Sequence, residues 1–153
     1  MSSTRFMQAI VPLGLLAFAG TASAQVLQPA SLTPPAEAAP AAMRVVPGQE
    51  MSGSLDASDP RASDGTHYDD WTYEGKKGER ITISLQSKAF DAYLRFGRTK
   101  GGAFSQTAEN DDGGEGSNSL LQVTLPADGE YVIRVNTMVE ETGAYTLRVT
   151  RRP

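Results

Sequence analysis

Residues 79–87 read ERITISLQS. Ile81, Ile83 and Leu85 alternate with Thr82 and Ser84, so the apolar side chains recur every second position and fall on one face of an extended chain. A helix would need them every three or four positions. The same period returns downstream. Leu121, Val123 and Leu125 alternate with Gln122 and Thr124, Tyr131, Ile133 and Val135 face away from Arg134 and Asn136, and Tyr145, Leu147 and Val149 repeat the pattern near the end. Each segment reads as a strand with one buried and one wet face. Turn formers lie between them: EGKKGE at 74–79, GRTKGG at 97–102, PADGE at 126–130 and ETG at 141–143. Short strands at this spacing, with no segment reading as a long helix, predict an all-β antiparallel sandwich or barrel.

Two further segments add polar residues to the pattern. In HYDDWTYEG, residues 67–75, the period of two puts Asp69, Trp71 and Tyr73 on one face. Asp69 is either a rim carboxylate bonded to a loop amide or a tyrosine hydroxyl, or a ligand, and Trp71 is expected in the core. In FDAYLRFG, residues 90–97, Phe90, Ala92, Leu94 and Phe96 take the inner face and leave Asp91, Tyr93 and Arg95 outside.

Upstream, MSSTRFMQAIVPLGLLAFAGTASAQ offers Arg5, an apolar run from Ala9 to Ala19, and small residues at Ala22 and Ala24. This is the pattern of a secretory signal peptide over residues 1–24. The run is shorter than the roughly 20 residues of a membrane-spanning helix, so no membrane insertion is expected once the leader is removed. Residues 25–43 are Pro- and Ala-rich and read as a linker. Residues 44–153 have the length of one domain with a core of its own.

The chain has no cysteine, so packing or a bound metal must stabilise it without disulfides. Its net charge of −4 becomes −5 when Arg5 leaves with the leader. That balance disfavours nucleic acid and anionic membrane surfaces as partners.

The segments DPRASDGTHYDDWTYEGKKGERITISLQSKAFDAYLRFG (59–97), ENDDGGEGSNSLLQVTLPADGEYVIRV (109–135) and ETGAYTLRV (141–149) together resemble the bacterial pre-peptidase C-terminal domain family. The resemblance covers roughly residues 46–150. It rests on the FDAYL element, the NDD loop, the LPADGEYVIRV strand and the closing GAYTLRV, in that order. It implies a jelly-roll-like β-sandwich of the kind appended to exported proteases and other enzymes, which in some relatives binds calcium or matrix.

Catalysis is not expected. There is one histidine, His67, and neither G-x-S-x-G nor H-E-x-x-H occurs. Without cysteine a zinc site lacks its preferred ligands. Calcium is the cofactor expectation, because it takes six to eight oxygens and tolerates Gly-rich loops. Its candidate ligands are Asn110, Asp111, Asp112 and Asn118 in ENDDGGEGSNS, joined by Asp91 if the two segments converge at one end of the sandwich. Neither an EF-hand spacing nor an RTX repeat is present, and a solvated turn is the competing reading of the loop.

Tyr93 and Arg95 are the candidate ligand-binding residues. The functional expectation is a periplasmic or secreted monomeric binding module, recognising an extracytoplasmic protein or a polysaccharide. The alternative is a structural or accessory protein assisting a separately encoded exported enzyme such as a protease.

Overall fold

The computed structural model describes residues 43–153. The expected leader and the linker up to residue 42 lie outside the described residues. Nine strands occur among the described residues: β1 (Met43–Arg44), β2 (Glu50–Leu55), β3 (Tyr68–Gly75), β4 (Arg80–Ser87), β5 (Ala92–Lys100), β6 (Ala103–Asn110), β7 (Ser119–Thr124), β8 (Gly129–Thr137) and β9 (Gly143–Arg152). They form a five-stranded sheet in the order β1-β3-β8-β5-β6 and a four-stranded sheet in the order β2-β9-β4-β7. Every pairing is antiparallel except the two-residue contact of β1 with β3. The fold is the all-β, jelly-roll-like sandwich expected.

The alternation in the sequence becomes the interior. Ile81, Ile83 and Leu85 from β4 meet Leu147 and Val149 from β9, and Ala92, Leu94 and Phe96 from β5 meet Tyr131, Ile133 and Val135 from β8, all in one buried cluster. Trp71 and Tyr73 join it from β3. The Trp71 indole Nε1–H donates to the Tyr145 hydroxyl at 2.9 Å, and that hydroxyl donates to Asp69 Oδ2 at 2.6 Å. This relay ties the two sheets together across the core. Asp69 is therefore the carboxylate bonded to a tyrosine hydroxyl. Burial raises its pKa, and burial likewise raises that of Tyr145. The Tyr145 ring has room because Gly53 faces it: a Cβ there would lie 2.3 Å from the ring's Cζ.

Three sequence expectations are corrected. GRTKGG is not a turn throughout, since β5 runs on to Lys100 and only Gly101 and Gly102, both at positive φ, reverse the chain. Strand β6 follows, so Glu109 and Asn110 belong to a strand and not to the loop. Asn136 is fully buried instead of wet, because the segment before β3 folds over it: its Nδ2 donates to Thr66 Oγ1 and to the His67 carbonyl, both at 3.1 Å. Met43, the last residue of the expected linker, pairs with Trp71 in β1.

Candidate functional site

The outer face of the five-stranded sheet carries three aromatic rings, Tyr68, Tyr93 and Phe104, and two of the four ion pairs among the described residues. Strand register builds it. Asp70 on β3 sits opposite Arg134 on β8, Arg134 opposite Arg95 on β5, and Arg95 opposite Glu109 on β6. The row thus reads acid, base, base, acid. Two arginines directly opposite each other repel, and each is matched by its own carboxylate. Arg134 forks onto Asp70 through Nε at 2.7 Å and Nη2 at 2.8 Å, the planar bidentate geometry that strengthens such pairs. Arg95 Nη2 reaches Asp64 Oδ2 at 2.5 Å, from the loop between β2 and β3.

Aromatic rings hold these cations in place. The Arg134 guanidinium lies 3.6 Å from the Tyr68 ring centroid and 4.2 Å from that of Phe104, and Arg95 lies 4.7 Å from that of Tyr93. Cation–π contacts of this kind fix side-chain geometry at modest energy. The Tyr93 hydroxyl donates to Glu109, whose Oε2 also accepts from Gln106 Nε2 at 2.6 Å. Asp64 is held at a pKa of about 2, first by the Thr66 hydroxyl at 2.6 Å and then by Arg95. Glu109 is lowered by the Tyr93 hydroxyl and Gln106, while burial and Glu109 raise Tyr93.

At one end this face opens into a cleft of about 330 Å³ whose lining includes Asp64, Thr66, Tyr93, Met138 and Val139. Met138 and Val139, in the loop from β8 to β9, are 43 % and 54 % exposed, two of the three large apolar side chains so exposed among the described residues. The Met138 N–H donates to the Asp91 carbonyl at 3.1 Å, and Arg61 bonds both the Gly65 carbonyl and Glu140 Oε1, at 2.6 and 3.0 Å. The loop is therefore anchored on both sides while its apolar tips face solvent.

Both sequence candidates for ligand contact, Tyr93 and Arg95, stand on this face. Arg95 is committed to Asp64, so it orients its neighbours more than it offers a free charge. Arg134 was read only as part of a wet face. Tyr68, Phe104, Met138 and Val139 were not singled out, although Tyr68 shares the period of two with Asp70.

Glu109 belongs to this face, and the rest of ENDDGGEGSNS, from Asn110 on, leads away from it. Asn110 Nδ2 donates to the carbonyls of Asp112 and Leu120 at 2.7 and 2.8 Å, and Asn118 Oδ1 accepts the Ser87 N–H at 3.1 Å while its Nδ2 reaches the Glu115 carbonyl at 2.6 Å. The Ala92 N–H donates to the Ser117 carbonyl at 2.9 Å, which brings Asp91 beside the loop through the main chain. Among the described residues no three acidic or histidine side chains converge as a metal site. With both asparagines engaged, the loop's carboxylates without a hydrogen-bond partner among the described residues are those of Asp111, Asp112 and Glu115. A calcium shell takes six to eight oxygens, main-chain carbonyls among them. His67 is buried, its Nδ1 3.0 Å from the Asp59 carbonyl.

The architecture is thus that of a two-sheet β-sandwich with an ordered aromatic and arginine face. Residues 67–137 match the bacterial pre-peptidase C-terminal domain family, which bears out the resemblance read from the sequence. Among solved structures, the chain is similar to the pre-peptidase C-terminal domain of collagenase from Bacillus anthracis, with TM-score 0.52 and 19 % identity over 71 % of this chain and 94 % of that one. It is also similar to Aeromonas hydrophila PliG, a periplasmic lysozyme inhibitor of g-type lysozyme, with TM-score 0.53 and 21 % identity over 72 % of this chain and 96 % of that one. Among curated proteins none matches this sequence. No helix among the described residues is long and apolar enough to cross a membrane.

Proposed function

We propose that the protein is an exported, non-catalytic binding module that engages a protein partner through the outer face of the five-stranded sheet and the adjoining loop from β8 to β9. The observation that carries this reading is the exposed pair Met138 and Val139 at the mouth of the Tyr93 cleft, continuous with Tyr68, Phe104, Arg95 and Arg134. Aromatic residues, Met and Arg are the types enriched at protein interfaces. The ion pairs and rings fix these side chains before binding, which reduces the entropy lost on association. A glycan platform needs a free ring face, whereas Arg134 covers Tyr68 and Phe104. The fold supports the reading as well, since one similar structure is a periplasmic inhibitor of a lysozyme.

Export rests on the leader pattern of residues 1–24. The test is retention of an extracytoplasmic protein by the wild-type chain and its loss in a Met138→Asp, Val139→Asp variant of unchanged melting temperature.

A further inference from the structure

The opposite side of the sandwich carries a second surface of different chemistry. On the four-stranded sheet most apolar residues point inward, so the intervening positions form an outer face of mainly polar side chains, with Leu120 of β7 half-buried among them. Strand register aligns them in rungs: Ser52 with Thr146 and Gln86, Thr150 with Thr82 and Gln122, and Arg152 with Arg80 and Thr124. No aromatic side chain occupies an outward position of these four strands. At one end the face deepens into a groove of about 490 Å³ whose lining includes Glu50, Ser52, Gln86, Lys88 and Thr146.

The charge on this face runs against that of the chain. Arg80, Arg148, Arg152 and Lys88 are all exposed, and Glu50 is the single acid among them, on a chain of net charge −4. Arg80 and Arg152 are direct cross-strand partners, a placement of like charges about 5 Å apart that destabilises a sheet. On the other sheet the equivalent pair, Arg95 and Arg134, is neutralised by Asp64 and Asp70. Here the compensation is of another kind: the four ion pairs among the described residues involve Arg61, Arg95, Arg134 and Arg151, whereas Arg80 Nη2 donates to the Pro153 main-chain oxygen at 2.7 Å and Arg152 Nη1 donates to the Gln122 side-chain carbonyl. Glu50 faces Arg148 in register without forming an ion pair. Arg148 and Lys88 make no side-chain hydrogen bond or ion pair among the described residues, and an external anion would engage them first.

We infer that the outer face of the four-stranded sheet binds an acidic polysaccharide, its arginines pairing with uronate carboxylates and its Ser, Thr and Gln side chains with sugar hydroxyls. The cations are strung out, with Arg148 and Arg152 about 14 Å apart along β9 at about 3.4 Å per residue, which suits an extended polymer more than a compact anion. A protein partner is disfavoured because Ser and Thr are poor interface anchors and the face has no aromatic or Met to replace them. Single-stranded nucleic acid is disfavoured by the absence of rings on which bases stack.

The experiment titrates the protein with alginate, a polymer of uronic acids, beside neutral dextran, poly-glutamate and duplex DNA at one salt concentration. Binding to alginate, none to dextran, and weakening with added salt are expected. The variant Arg80→Gln, Arg148→Gln, Arg152→Gln is expected to lose at least tenfold in alginate affinity, while Lys100→Gln on the other sheet loses none. If the triple variant does not fold, Arg148→Gln alone decides, with a loss of about threefold expected. Absent alginate binding, equal binding to dextran, tighter binding to poly-glutamate or DNA, or undiminished affinity in the decisive variant would overturn the inference.

Discussion

Asp69 and Asp64 show how single residues set the pH response of this fold. Burial raises Asp69 above its unfolded value of 3.8. The fold thus favours its protonated form, and that contribution is full below pH 3.8 and is lost as pH rises through the raised value. Asp64 behaves oppositely. Held at about 2 by Thr66 and Arg95, it stabilises the fold above pH 3.8 and loses that effect as pH falls toward 2. Asp69→Asn keeps an acceptor for the Tyr145 hydroxyl and removes the buried charge. Its melting temperature is expected to exceed that of wild type at pH 7, with the difference shrinking toward pH 4. A difference independent of pH would show that Asp69 is not the titrating group.

The loop after β6 makes a residue-scale prediction too, because Asn110 supplies two hydrogen bonds to main-chain carbonyls. Asn110→Ala is expected to cost roughly 1 to 3 kcal/mol in a denaturant titration. Calcium is the other anchor proposed for this loop. Matched melting curves in calcium and in chelator would decide for a solvated turn. A rise on the order of 10 °C at about 10 mM calcium would instead show that Asp111 and Asp112 help hold the ion with a dissociation constant near 0.1 mM.

At the scale of elements, the strands legible in the sequence are those whose inner faces are large and apolar. Strands β4, β5, β7, β8 and β9 carry Ile, Leu, Val or Phe at every second position, and the structure buries these side chains or packs them against the core. Strands β2 and β6 were not read, for their inward positions are small, polar or interrupted: Gly53 lies inside β2, and β6 reads AFSQTAEN with an exposed and half-buried mixture. The boundary of β5 was obscured by Gly97. The register between β5 and β6 shifts at Phe96 and Gly97, and a Cβ on Gly97 would come within 2.1 Å of the Ser105 carbonyl oxygen. The glycine that reads as turn chemistry therefore marks a close approach of two backbones at a bulge. Gly97→Ala is expected to cost about 1 to 3 kcal/mol, seen as a lower urea midpoint at constant slope. A neutral result would mean that β6 can slide away without loss.

Across the whole molecule, the buried relay from Trp71 through Tyr145 to Asp69 joins the sheets, and Trp71→Ala is expected to remove roughly 3 to 5 kcal/mol of stability. The binding face was only partly legible. Periodicity places Tyr93 and Arg95 outside, yet it cannot show that Arg95 meets Asp64 from 31 positions upstream, nor which strands stand next to each other in a sheet. The row from Asp70 to Glu109 exists only once β3, β8, β5 and β6 are side by side.

Whether the outer face of the five-stranded sheet and the loop beside it bind a protein is decided by capture. Immobilised wild-type protein and the Met138→Asp, Val139→Asp variant, matched in melting temperature, are each incubated with extracytoplasmic extract and the retained proteins compared. A specific protein held by the wild type and lost by the variant is the expected result. The same protein held equally by both would contradict it.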